Sequence, residues 1–471
     1  MANSNTTTKS GVRPFGVRDK FAYMMGDFGN DFTFLLASSW LMKFYSDVMG
    51  VGTGVVGIIM MVARFVDAFT DTAMGQIVDR SPATKAGKFI PWMRRFMAPV
   101  ALASFLMYAS WMADASYVVK VIWLTVTYLL WGSICYTGVN IPYGSMASAI
   151  SDDPGDRVEL STWRNIGSTM ASLITGVVLP LVVYYKDADG NSVISGTKFT
   201  ITALVCSIGA LVCYLVCTSL TTERVPIETK TEKFSLGALF KQLFSSRALI
   251  SIIVAAIVLL LSQLTMTGMS TYVWANYFNN TVYQSVANMV GVVVMLVLAI
   301  TVVPRASKKY GKKELAIVGN LIAAVSMFAA LIIHTSNPIV YIVIVALGYV
   351  GIACFNTVIW AMITDVIDED EVRRGTRSDG TIYSLYSFAR KLGQAASAGL
   401  TGGLLSMVGY TAATAFDTEV VNGIYNVSVL VPAIGFTLLV IVLAFWYPLD
   451  KKTVEANSAE LARRKAEEEK Q

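Results

Sequence analysis

Two short stretches decide the fold: GDFGNDF at residues 26–32 and ARFVDAFTD at 63–71. They place Asp27, Asp31, Asp67 and Asp71 inside long apolar runs, with Arg64 one turn before Asp67. Each acid pair is spaced i, i+4, so each shares one face of a helix. A carboxylate at the centre of a bilayer costs roughly 2.5–3.5 kcal/mol on insertion scales, so such acids usually face a cavity and work there. The pattern predicts a membrane protein that handles ions or polar solutes within the bilayer.

The rest of the chain agrees. Of 471 residues, 55% are hydrophobic and 15% charged, with a mean hydropathy of +0.57. A soluble protein carries nearer a quarter of its residues charged. Apolar stretches long enough to cross about 30 Å of hydrocarbon recur throughout. They predict spans near 20–48, 53–79, 91–112, 119–147, 159–185, 197–221, 247–276, 284–305, 313–334, 338–366, 380–408 and 424–448. The fold class expected is an all-α membrane protein of twelve transmembrane helices.

Loop charge orients the array. The segments 1–20, 80–95, 152–157, 222–247, 305–313, 368–379 and 449–471 hold most of the 37 Lys and Arg. The opposite loops hold only Lys120, Lys186 and Lys198. Both termini are therefore expected in the cytoplasm. The net charge of +5 is a topology signal, and no nucleic-acid partner is expected, since the basic residues are spread over separate loops. The polar N-terminus predicts no cleaved leader. The cysteines at 135, 206, 213, 217 and 354 read as buried small hydrophobes. His334 reads as interfacial, and Lys43 as a snorkelling side chain.

A hydrophilic loop after the sixth span divides the chain. The expected parts are a six-helix bundle over 1–221, a central loop over 222–246, a second six-helix bundle over 247–450 and a tail over 451–471. DRSPATKAGKFIPW after span 2 parallels PRASKKYGKKEL after span 8, and the ends of spans 4 and 10 both pass through an acidic run to an arginine. Two parallel six-span halves are the plan of major-facilitator transporters, whose sites lie near the midplane.

The polar residues within the spans suggest the chemistry. Asp67 and Asp71 lie about 20 and 27 Å along span 2 at 1.5 Å per residue. They could supply oxygens to Na⁺, share a proton, or brace Arg64. Thr137 and Asn140, three residues apart in YTGVNIPYGS, offer further oxygens or an interhelical hydrogen bond; Pro142 beyond them breaks the helical ladder. Asp31 lies near the midplane of span 1, where a carboxylate flanked by aromatics can accept sugar hydroxyls. In span 11, Lys391 shares a face with Ser387 and Ser384, and Tyr386 pairs with Arg390. Asp31 is one candidate partner for Lys391, and Arg164, beside Trp163, reads either as a second donor or as a snorkelling anchor.

GDFGNDF, FYSDVMGVG, ARFVDAFTDTAMGQIVD, GKFIPW, NIPYGS, ITDVIDEDE and RSDGTIYSLYSFARKLGQA together make the chain resemble the glycoside–pentoside–hexuronide:cation symporters of the major facilitator superfamily. The resemblance covers nearly the whole chain. It implies Asp31 as sugar-hydroxyl acceptor and Arg164 as donor. Asp67, Asp71 and Thr137 match a cation site, with Na⁺ at Asp67 and Asp71 as its metal form. Lys391 matches a lysine between the two sites. Asn140 departs from the melibiose carrier of that family, which has an aspartate there; a less negative site favours H⁺ over Na⁺. Asn30 replaces a lysine, Gly144 a tryptophan and Tyr386 a glutamine, so the sugar pocket should differ in shape.

The expected protein is therefore a symporter that imports a glycoside with H⁺ or Na⁺ by alternating access. Asp27, Asp31, Asn140, Tyr143, Arg164, Asn356, Trp360, Tyr386, Ser387 and Lys391 are the expected sugar residues. Asp67, Asp71, Thr137 and Asn140 are the expected coupling residues. No cofactor is expected. The partners are a small glycoside, the coupling cation and the bilayer, and the expected form is a monomer in a bacterial cytoplasmic membrane. The rivals are a same-fold carrier of a lipid-like solute, an integral-membrane enzyme using the acidic run Asp365 to Glu371, and a channel.

Overall fold

The computed structural model describes residues 13–227, 246–375 and 379–468. The chain is a multi-pass helical membrane protein that divides into two compact units, Met1–Glu232 and Lys233–Gln471. The first unit holds α1 (Val17–Asp47), α2 (Thr53–Arg80), α3 (Ile90–Leu106), α4 (Tyr117–Ile150), α5 (Pro154–Val183) and α6 (Gly196–Leu220). The second holds α7 (Arg247–Tyr277), α8 (Thr281–Tyr310), α9 (Lys312–Ile333), α10 (Pro338–Arg374), α11 (Asp379–Met407), α12 (Thr418–Trp446) and the tail helix α13 (Lys451–Glu468).

Among the described residues, nine of these helices are long and apolar enough to cross a membrane by those measures alone. The other three of the twelve are α1, α3 and α11. Acids in α1 and a Gly- and Ser-rich stretch with Arg390 and Lys391 in α11 lower their hydropathy, and α3 has only 17 residues.

The two units repeat one packing scheme. In the first, α1 lies against α5 and α6, α3 against α4 and α6, and α2 against α4. In the second, α7 lies against α11 and α12, α9 against α10 and α12, and α8 against α10. The main helix pairings of the first unit thus recur six positions on in the second. This is the twelve-helix, two-repeat plan expected from the sequence.

Several local expectations change. The third span stops at Leu106, before a short turn at Ser110–Met112. The tenth continues through the acidic run to Arg374, because Lys312 pairs with Asp365 (2.6 Å) and Arg374 with Asp370 (2.8 Å). Pro142 does not break α4; the irregularity is a wide π turn over Leu130–Tyr136, one to two turns earlier. Lys43 does not snorkel. It is 1% exposed and pairs with Asp47 at 2.8 Å, one helical turn on, which supplies the counter-charge burial demands. A small antiparallel hairpin, β1 (Tyr184–Lys186) with β2 (Ser192–Ile194), joins α5 to α6.

Two residues after α6 lace one end of the first unit. The Glu223 carboxylate accepts from the backbone N–H groups of Lys88, Phe89 and Ile90 (2.6–2.9 Å), the otherwise unpaired start of α3. Burial pushes the Glu223 carboxyl up, against the pull of those donors. Arg224 donates to Asp19 Oδ2 (2.9 Å) and to the carbonyls of Arg13 and Ile150. Asp19, wholly buried, also accepts from Arg13 (2.7 Å). In the second unit Arg464 of α13 donates to the Val372 carbonyl (3.0 Å), fastening the tail helix to the last turns of α10.

Candidate functional site

The first unit gathers its intramembrane polar residues into two clusters, and α4 contributes to both. The acid cluster lies between α2 and α4. Ser133 donates to Asp67 Oδ1 (2.6 Å) and Arg64 to Asp67 Oδ2 (3.5 Å). Thr137 donates to Asp71 Oδ1 (2.6 Å). The π turn in α4 aims these hydroxyls, which is a common use of such turns; Thr137 Oγ1 also reaches the Gly132 carbonyl (3.1 Å). Gly132 itself faces Asp67. A Cβ there would sit 3.3 Å from Asp67 Oδ1, so the backbone of α4 comes up against the carboxylate. Asp67 is 3% exposed and Asp71 half-buried.

Arg64 is enclosed as well as paired. Its guanidinium carbon lies 4.9 Å from the Phe34 ring centre and 5.8 Å from those of Tyr128 and Trp131. An aromatic box with one carboxylate is a favourable place for a buried cation. The brace considered from the sequence is therefore present at Asp67, and Asp71 stands one turn beyond it with Thr137.

The second cluster joins α1, α4, α5 and α6. Arg164 Nε donates to Asp27 Oδ1 (2.9 Å), and its guanidinium lies over the Tyr143 ring (5.5 Å). Tyr143 stacks on Tyr23 (4.6 Å) and donates to the Tyr23 carbonyl (2.7 Å). Ser168 donates to Asp31 Oδ2. Asn30 Nδ2 donates to Asn140 Oδ1 (3.4 Å), which ties Asn140 to this cluster. The Arg164 side chain is 41% exposed, so Asp27 holds one edge of the guanidinium and leaves the rest accessible. Asp27, Asp31, Asn140, Tyr143 and Arg164 thus come together, with acceptors, amides and a forked donor of the kind that holds hydroxylated ligands.

The second unit has a different polar group. Asn356 of α10 donates to Gln263 of α7 (3.0 Å). Trp360, 45% exposed, meets Tyr386 edge-on (4.9 Å) and stacks with Tyr383 (6.1 Å). Arg390 lies over both Trp360 (5.7 Å) and Tyr386 (5.9 Å). Ser387 is exposed and Lys391 half-buried, one turn apart on α11. His334 ends α9 in a left-handed turn against Tyr277 and Tyr425.

Sequence reasoning passed over Ser133, Ser168, Gln263 and Tyr214 of α6, whose hydroxyl donates to Asn30 Oδ1 (2.8 Å). Two of these carried a signal: Ser133 is i−4 from Thr137 and Ser168 is i+4 from Arg164, so each shares a face with a residue already singled out. Tyr214 and Gln263 had none, because their partners lie on distant segments.

Residues 22–451 match the family model for MFS/sugar transport proteins. The chain belongs to that family. Its relatives include a glucuronide carrier protein homolog of Escherichia coli, 30% identical over 444 residues and covering 94% of this chain and 95% of that one. The isoprimeverose transporter of Lactiplantibacillus pentosus is 30% identical over 438 residues, covering 92% and 89%. A crystal structure of a D-xylose-proton symporter superposes with a TM-score of 0.67 at 13% identity, covering 92% of this chain and 98% of that one. That last likeness is one of fold. The family is one of transporters, and the membrane-enzyme alternative falls away; the acidic run proposed for it forms the ion pairs at the ends of α9 and α10.

Proposed function

We propose that the chain imports a glycoside in symport with H⁺. The observation that carries this reading is the division of labour along α4. Ser133 and Thr137 serve the Asp67/Asp71 pair, and Asn140 and Tyr143, one turn and more beyond, serve the Asp27/Asp31/Arg164 group. In this reading Arg64 offsets one charge of the Asp67/Asp71 pair, and the proton neutralises the other at each cycle. Closing a dry barrier over them is otherwise costly, so only the empty or doubly loaded carrier reorients readily. Asp31, Arg164 and Asn140 hold the sugar hydroxyls and Tyr143 supports them, while the sugar residues proposed for the second unit, Trp360, Tyr386 and Asn356, form an aromatic and amide group of their own. The names of the relatives, a glucuronide carrier homolog and an isoprimeverose transporter, support a glycosidic solute. Neutral Asn140 supports H⁺ rather than Na⁺. Loop charge supports both termini inside, the bacterial source of the relatives supports a bacterial cytoplasmic membrane, and a monomer is proposed.

The test is uptake into proteoliposomes of radiolabelled methyl glucuronide, methyl xyloside and neutral disaccharides, with pH and Na⁺ gradients imposed separately. Accumulation driven by an inward proton gradient is expected. Accumulation driven only by Na⁺ overturns the choice of ion, and no glycoside movement under either gradient overturns the sugar reading.

A further inference from the structure

Tyr214 on α6 is fully buried, and the roles above leave it unused. Its hydroxyl donates to Asn30 Oδ1 (2.8 Å), and Asn30 Nδ2 donates to Asn140 Oδ1 (3.4 Å). The chain of bonds is directional. An amide has one accepting end and one donating end. Once the Asn30 oxygen takes the Tyr214 proton, the Asn30 NH₂ points to Asn140, and Asn140 meets it with its oxygen. The Asn140 NH₂ is then turned the other way. Close packing holds the relay. A Cβ on Gly29 would lie 3.0 Å from Cys213 Cβ and 3.2 Å from Tyr214 Cε1, so α1 and α6 approach as nearly as glycine permits. Asn30 is buried, whereas Asn140 is half-buried. Gly144, one turn on along α4, is exposed, and a Cβ there would meet nothing within 4 Å. The far side of Asn140 is thus the open side.

We infer that Tyr214, acting through Asn30, is a positioning residue that fixes Asn140 as a hydrogen-bond donor to the transported sugar, so that this subsite selects an acceptor oxygen. The inference rests on the reading that Asn140 faces the sugar. Without the hydroxyl the two amides can turn over together, and the site is presented with oxygen as often as with NH₂.

The experiment measures KM and Vmax for methyl glucuronide and methyl xyloside in proteoliposomes of the full chain. Asn140→Ala comes first, and a raised KM is expected. Tyr214→Phe should raise KM about twofold, the rise expected when half of the molecules present the wrong end of the amide, with Vmax and the half-saturating proton concentration unchanged. In an Asn140→Asp background the same Tyr214→Phe change should leave KM unchanged, because a carboxylate has no polarity to set. A merely structural Tyr214 would act equally in both backgrounds. Should Tyr214→Phe not fold, Asn30→Asp replaces it: the carboxylate still accepts from Tyr214, cannot donate to Asn140, and should raise KM at least as much. If Asn140→Ala raises KM while Tyr214→Phe (or Asn30→Asp) is silent or additive, the relay is overturned and the sugar reading stands. If Asn140→Ala leaves KM unchanged, Asn140 does not face the sugar and the relay inference falls, while absence of any glycoside uptake by the unaltered chain is the separate outcome that overturns the sugar reading.

Discussion

The first two helices of each repeat pack alike and carry opposite cargo. α1 holds Asp27 and Asp31 in its middle, and α2 holds Asp67 and Asp71. Their counterparts α7 and α8 contain no Asp or Glu at all. In place of paired carboxylates the second unit offers the Asn356–Gln263 amide pair and the aromatic group of Trp360, Tyr383 and Tyr386. One feature is shared: a basic residue at a similar position along the fifth helix of each repeat, Arg164 in α5 and Arg390 in α11, each over an aromatic ring. Packing tolerates wide exchange of side chains so long as shape and apolarity persist. An ion site does not, because every buried charge needs its own partners. The repeat thus preserved helix contacts in both units while the acid chemistry stands in one.

The largest expected effect follows from that contrast. Asp67→Asn should abolish accumulation against a gradient while sparing sugar exchange across the membrane, measured by counterflow. Gln263→Ala, on the acid-free helix α7, should leave the accumulation ratio within about twofold. Full concentrative uptake by Asp67→Asn would erase the distinction between the units. The next effect concerns the Arg164 pair. Asp27→Asn removes the counter-charge that holds one edge of the guanidinium. Charge-assisted hydrogen bonds contribute about 1.5–3 kcal/mol, so a KM raised about tenfold or more is expected, with proton dependence retained. Trp360→Ala should act more mildly. An exposed aromatic contact of roughly 1 kcal/mol corresponds to a several-fold rise in KM, with coupling intact; loss of coupling would show that the second unit shares the ion site.

The smallest effect should appear only in stability. Glu223→Gln leaves one oxygen for the three N–H groups of α3. About 1–2 kcal/mol of destabilisation is expected, as for a lost helix cap, read as a lower melting temperature in detergent. Uptake per folded molecule should not change.

How far the sequence reached can be read from particular residues. The acid pairs were visible because i, i+4 spacing is a property of the helix alone. Thr137 and Asp71 were both singled out, and their contact depends on α2 and α4 packing together. The π turn at Leu130–Tyr136 and the donor Ser133 were not seen, since a wide turn leaves no mark in apolar periodicity. Lys43 was misread because a lone lysine near a helix end is usually solvated, and only burial beside Asp47 shows otherwise. Glu223 and Arg224 looked like ordinary loop charges, but their bonds reach back more than 130 and 200 positions along the chain.

The sequence by itself determined that this chain lies in a membrane, how many times it crosses, that it is a doubled unit and which acids are too costly to be idle. Those follow from hydropathy, period and charge, which are local and additive along the chain. Only the tertiary structure decided which hydroxyl meets which carboxylate, which arginine is boxed in aromatics, and which way an amide turns. Those depend on side chains from separate helices meeting within hydrogen-bonding distance, and helix packing, not sequence spacing, sets that distance.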